Sequence, residues 1–179
     1  CVSAIDTFTY DTAFVVPVIA KFVIAADTSL TGLGSPLTVG ADLALTLTAQ
    51  TASGLTAVTY KGNATLKVGT NSMGHGLTAT GTGVTDLGGG RIALAGDDWI
   101  VGQRTVTLKD TTSRDTLSIS IVDSSDTLSP YVGALDSVIS VAPAAFSQVL
   151  VSAPDTVTQG EDFWVGVRLA DSFGNVADR

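Results

Sequence analysis

Along most of this chain apolar and polar residues alternate with a period of two, and helical periodicity is almost missing. Residues 42–50 set Leu43, Leu45 and Leu47 against Ala44, Thr46 and Thr48, and residues 103–110 set Val106 and Leu108 against Thr105, Thr107 and Lys109. Residues 115–123 set Leu117, Ile119 and Ile121 against Thr116, Ser118 and Ser120, while 162–170 repeat the scheme with Phe163, Val165, Val167 and Leu169. Successive side chains of a strand point to opposite faces, so each stretch predicts an antiparallel strand with one buried face. Thr and Val suit such a surface because their branched side chains lose little freedom on it. Shorter strands are expected over 56–60, 64–68, 77–80 and 91–95. Turn chemistry separates them, for example at Ser53-Gly54, Gly62-Asn63 and Phe173-Gly174-Asn175. Roughly seven strands in about a hundred residues predict an all-β fold, an immunoglobulin-like antiparallel sandwich, with a closed barrel as the alternative.

The pattern also repeats at long range. Residues 21–30 are echoed at 148–157, and 38–47 at 158–167. In both copies an apolar stretch leads to a Thr-x-Gly turn, an acidic residue and an alternating run. The two registers differ by about seven residues, which an insertion around 31–37 absorbs. This gives four segments: an N-terminal strand or extension over 1–19, a sandwich over 20–125, a connector over 126–145, and the first strands of a second similar module over 146–179. Two strands bury too little surface to stand alone. The apolar ends, 13–26 and 146–170, are therefore expected to pair with a neighbouring subunit, with Phe14, Val15, Val16, Val149, Val151 and Trp164 at the contact. Trp164 is out of phase with Phe163 and Val165, which predicts exposure until a neighbour covers it.

Composition narrows the partners. Charged residues make up 15% of the chain and the formal net charge is −8. The nine Lys and Arg form no run, so nucleic acid is not the expected partner. The longest apolar stretch is broken by Pro17 and Lys21, and no transmembrane segment is expected. Acidic, Thr-rich composition suits an extracellular or cell-surface protein, and Asn63-Ala64-Thr65 is a glycosylation sequon at Asn63. Cys1 is the only cysteine, which rules out a disulfide within the chain. It has two readings, the acylated first residue of a lipoprotein or an ordinary thiol, and the lipobox that decides between them is not in the sequence.

The run Val167, Arg168, Leu169, Ala170, Asp171, Ser172, Phe173, Gly174, Asn175 resembles the V-x-V-x-D-x-x-G-N turn of bacterial immunoglobulin-like repeats, as found in invasin-type adhesins. The earlier run from Leu45 to Gly54 resembles it more loosely, with Thr51 in place of the acid and Leu55 in place of the Asn. Residues 103–123 are similar to the closing strand pair of those repeats. The resemblance implies a non-enzymatic module of a surface filament, sheath or adhesin, whose partners are copies of itself or neighbouring modules. The competing expectation is a monomeric stalk, or a glycan-binding accessory module of a larger secreted protein.

The chemistry-bearing residues are sparse. His75 is the single histidine and lies between two glycines, where a solvated loop residue is expected rather than a base. One Cys and one His do not make a zinc site. No catalytic residue and no organic cofactor is expected. Calcium is the one metal that loop carboxylates suit, with Asp123, Asp126 and Asp171 as candidates that lack the dense acidic spacing of a calcium loop.

Overall fold

The computed structural model describes residues 19–27, 36–113, 115–124 and 132–176. They form strands and turns with one short 3-10 turn at Gly96–Asp98 and no α-helix among the described residues. The first sheet holds β1 (Ile19–Ala26), β3 (Asp42–Thr51), β8 (Gln103–Asp110) and β5 (Leu77–Thr80), all antiparallel and in the order β1-β3-β8-β5. The second sheet runs β2 (Leu37–Thr38), β11 (Ile139–Ala142), β9 (Thr116–Asp123), β4 (Ala64–Gly69), β7 (Arg91–Leu94) and β6 (Val84–Asp86), with β10 (Val132–Ala134) also on β9. The β2–β11 pair is parallel. A separate two-stranded sheet follows, β12 (Gln148–Ser152) with β13 (Gly166–Ala170).

The alternation seen in the sequence is the burial pattern of the two large sheets. Leu43, Leu45, Leu47 and Ala49 of β3 meet Leu66 and Val68 of β4, Ile92 and Leu94 of β7, and Leu117, Ile119 and Ile121 of β9 in one core. Leu45 and Val106 are fully buried and Ile119 nearly so. A fully buried side chain of this size stabilises by about 1.5–3 kcal/mol over its exposed form, so these rows fix the register of both sheets. One end of the core is aromatic. Phe22, Tyr60 and Trp99 stack and meet edge to face with ring centroids 4.9–5.6 Å apart, and Trp99 Nε1 donates to the Gly62 carbonyl at 2.9 Å.

Four local expectations change. The segment 13–26 was assigned to a neighbouring subunit, yet its second half is β1, whose Ile19, Phe22 and Ile24 are buried in this sandwich. Within the expected connector 126–145, the described residues add β10 (Val132–Ala134) and β11 (Ile139–Ala142) to the edge of β9. Residues 56–60 form no strand: a single bridge joins Thr56 to Gln50, and the chain then turns as the Tyr60 amide bonds to the Ala57 carbonyl. The predicted strand at 162–170 shortens to Gly166–Ala170. Its partner β12 ends at Ser152 and Pro154 follows, a residue with no amide to continue a ladder.

Candidate functional site

The pairing register shows that β12–β13 is a second casting of β1–β3. In the first, Phe22 stands opposite Ala49 and Ile24 opposite Leu47; in the second, Val149 stands opposite Leu169 and Val151 opposite Val167. These are the pairs that the sequence repeat makes equivalent. The turns beyond β3 and β13 match as well. The Gly54 amide bonds to the Thr51 carbonyl at 3.0 Å and the Thr51 amide to the Leu55 carbonyl at 2.8 Å; Gly174 to Asp171 and Asp171 to Asn175 repeat this at 3.1 and 2.9 Å. A bridge then joins Gln50 to Thr56 in one and Ala170 to Val176 in the other. Both turns put glycine in the left-handed region, at φ +81° and +85°, where a Cβ would be strained.

The second copy differs in what covers it. Val149, Val151, Val167 and Leu169 share one face of the hairpin, with Arg168 and Leu150 on the other. In the first copy Leu47 is fully buried; its counterpart Val167 is 63% exposed. Phe163, Trp164 and Val165 extend the apolar surface, and Trp164 is 64% exposed. Neither β12 nor β13 has a second strand partner among the described residues. This hairpin therefore presents an uncovered apolar face and strand edges without a further strand partner among the described residues.

The Asp171–Asn175 turn fastens the hairpin to the sandwich. Asp171 is fully buried, and its carboxylate accepts from the backbone amides of Phe173 and Asn175 at 2.9 Å, from the Ala144 amide at 3.1 Å, and from Asn175 Nδ2. Asn175 then bridges to the sandwich: its Nδ2 donates to the Thr111 carbonyl at 2.9 Å and its Oδ1 accepts from the Ser113 amide at 3.0 Å. The Phe173 ring lies against Gly40, where a side chain would collide with it. Burial disfavours the Asp171 carboxylate, but the hydrogen bonds from Asn175, Ala144 and Phe173 outweigh it, so the group titrates below the ordinary aspartate value.

Beneath this joint lies a carboxylate with the opposite tendency. Asp110 is fully buried, its Oδ1 accepts from the Thr112 amide at 2.8 Å, and its Oδ2 meets no hydrogen-bond donor. Burial raises its pKa against the lowering effect of Thr112, and the neighbouring Asp115 raises it further. Asp115 itself accepts from the Ser72 amide and hydroxyl at 2.9 and 2.5 Å. At the opposite end of β8, Arg104 is buried and donates to the Ala95 and Thr82 carbonyls, with Asp98 3.9 Å away. Burial lowers its pKa and Asp98 opposes that. Arg104 and Asp110 lie in phase with Val106 and Leu108, so the period-two rule placed both inward, although neither was singled out in the sequence.

Of the residues named in advance, Val149, Val151 and Trp164 fall together on the hairpin, while Cys1, Phe14, Val15, Val16 and Asp126 lie outside the described residues. The remaining calcium candidates are not brought together. Asp123 is buried at the far end of β9, beside Tyr60, whose burial, together with the Asp123 charge, raises that phenol's pKa, and Asp171 sits at the joint surrounded by N–H donors. Among the described residues no three His, Cys, Asp or Glu side chains gather around one point. Asn63 is exposed and its Oδ1 accepts from the Gly96 amide at 2.7 Å. His75 is exposed, and its carbonyl rather than its ring is engaged, by Ser72 and Thr112 hydroxyls. No helix among the described residues is long and apolar enough to cross a membrane. Compared with protein-family models and with curated proteins, the chain matches none.

Proposed function

We propose that this chain is a non-enzymatic structural protein of the cell surface or extracellular space, built from immunoglobulin-like sandwich units. In this reading it belongs to a filament, sheath or adhesin, and successive units lock end to end through the Asp171–Asn175 turn. The second unit is completed by β-contacts with a neighbouring copy. The observation that carries the reading is the bare face of β12–β13, in a register where the equivalent β1–β3 face is fully covered. Sheets stack about 10 Å apart with interdigitated apolar faces, and open edges accept further strands, so the hairpin offers both kinds of contact.

Sedimentation and electron microscopy of the full chain test this. The chain is expected to associate as its concentration rises, and Val151→Lys with Val167→Lys to abolish association. Both positions are exposed in the single chain, so the thermal transition of the sandwich should not move. A chain that stays monomeric at every concentration removes the subunit-contact reading. The hydrogen-bonded joint would then favour the second reading, a monomeric stalk or accessory module whose missing sheet comes from its own polypeptide.

A further inference from the structure

The β12–β13 hairpin is docked on a loop that two buried carboxylates bracket. Asp110 closes β8 and Asp115 immediately precedes β9, and their exposures are 0% and 3%. Asn175 takes both of its sandwich partners from between them, the Thr111 carbonyl and the Ser113 amide. The third contact of the joint leads to the same place. Gly40, against which the Phe173 ring lies, donates its amide to the Asp110 carbonyl at 2.7 Å. We infer that Asp110 and Asp115 share one proton, and that this proton holds the loop in the shape that docks the hairpin.

Hydrogen-bond accounting assigns the proton to Asp110. Asp115 accepts on both oxygens, from the Ser72 amide at 2.9 Å and the Ser72 hydroxyl at 2.5 Å. Asp110 Oδ1 accepts from the Thr112 amide, whereas Oδ2 is buried and no N–H or O–H donor reaches it. A buried carboxylate oxygen without a donor is costly, and so is a second negative charge in the same site. A proton on Oδ2 removes both costs. It turns the orphan acceptor into a donor, and the Asp115 carboxylate is within side-chain hydrogen-bonding reach, with lone pairs that Ser72 leaves free. The product is a charge-assisted O–H···O⁻ bond that ties the end of a strand in the first sheet to the start of one in the second.

Asp115 is the neighbouring charge that acts on Asp110. Asp171 turns its carboxylate to the donors of its own turn and to the Ala144 amide, and the Asp42–Lys109 pair lies exposed on the outer face of the first sheet. His75 is exposed and meets the loop through its carbonyl, which accepts from the Thr112 hydroxyl. Of the nearby strands, β5 and β11 carry no ionisable side chain and β4 carries only the exposed Lys67. Arg114 belongs to the loop by sequence and lies outside the described residues.

The proton therefore acts as a pH-dependent catch. Burial and Asp115 hold the Asp110 acid above the ordinary aspartate range, so docking is complete below its folded pKa. As the pH rises through that value the proton leaves to solvent and the two carboxylates repel across the loop. Thr111, Ser113 and Gly40 then lose their common anchor. Linkage makes the effect reciprocal: docking must raise the proton affinity of the pair by the factor by which ionisation weakens docking. The inference concerns the joint inside one chain and stands whether or not chains associate.

The test follows the carboxyl carbon signals of Asp110 and Asp115 and the Ser113 amide by NMR, in the dilute full chain, from about pH 3 to about pH 10. His75→Gln serves as the background, so that no imidazole titrates beside the loop. The Asp110 carboxyl should keep its proton beyond the aspartate range, and the Ser113 amide should move with the same midpoint. Asp110→Asn supplies an amide that still donates to Asp115 and accepts from Thr112, so Ser113 should hold its docked position throughout. Asn175→Ala weakens docking, and the Asp110 midpoint should fall by about one pH unit for each tenfold of coupling. An Asp110 carboxyl that ionises near pH 4 overturns the shared proton. Equal midpoints in the Asn175 and Asn175→Ala chains overturn its coupling to the joint, as does a Ser113 shift that persists in Asp110→Asn.

Discussion

The β1–β3 and β12–β13 hairpins share register, turn geometry and alternation, but one is the inside of a sandwich and the other faces water. Local sequence therefore fixes which residues share a face, and says nothing about whether anything lies over that face. Burial at β3 depends on β4, β7 and β9, and no strand among the described residues plays that part for β13. The second hairpin is tied to the sandwich through its turn, by side-chain hydrogen bonds rather than by core packing.

The widest gap between the hairpins should appear on truncating equivalent residues. Leu47→Ala removes a fully buried side chain and is expected to destabilise the sandwich by about 2–5 kcal/mol in urea unfolding. Val167→Ala at the equivalent exposed position should fall within about 0.5 kcal/mol in the dilute chain. Similar losses at both sites would mean that the second hairpin is already covered in solution.

Asp171→Ala comes next. It leaves the Ala144, Phe173 and Asn175 amides without their acceptor, an effect of about 1–3 kcal/mol on the turn. Amide exchange at Phe173 and Asn175 should accelerate accordingly, while β3 exchanges as before. The equivalent Thr51→Ala removes only a hydroxyl contact to Ser53 and the Leu55 carbonyl, and should change little. Unchanged exchange in Asp171→Ala would show that the turn is held instead by Asn175 on Thr111 and Ser113 and by Phe173 on Gly40.

The two buried aspartates near the joint should respond to pH in opposite directions. Asp171 titrates below its unfolded value, so its stabilisation is complete above about pH 4 and is lost as the pH falls through the lower folded pKa. Asp110 titrates above its unfolded value, so stability is greatest below about pH 4 and declines as the pH rises through the folded pKa. Asp110→Asn should therefore raise the neutral-pH Tm and flatten that decline, because the amide keeps the Thr112 bond without a buried charge. A lower Tm for Asp110→Asn at neutral pH would mean that its ionised form is the stabilising one.

Much of this was legible in the sequence, for a definite reason. Rows such as Leu43, Leu45, Leu47 and Leu117, Ile119, Ile121 announce their own buried face. The repeat made β12 and β13 the counterparts of β1 and β3, but it did not give their pairing with each other, since 146–170 was expected to pair with a neighbouring subunit. Pairing partners were less legible: β10 and β11 are short, half-exposed and add to β9 by backbone bonds that leave little compositional trace. The joint was half visible. The Asp171, Gly174 and Asn175 spacing gave the turn, but its docking on Thr111 and Ser113 uses backbone groups that every residue carries.

The most direct test is amide hydrogen exchange compared between β3 and β13 over a series of protein concentrations. Amides of β3 should be strongly protected throughout. Those of β13 should exchange fast in dilute solution and gain protection as the chains associate. Protection of Val167 and Leu169 equal to that of Leu45 and Leu47 at high dilution, or none at any concentration, would contradict the proposed covering of this hairpin by a neighbouring copy.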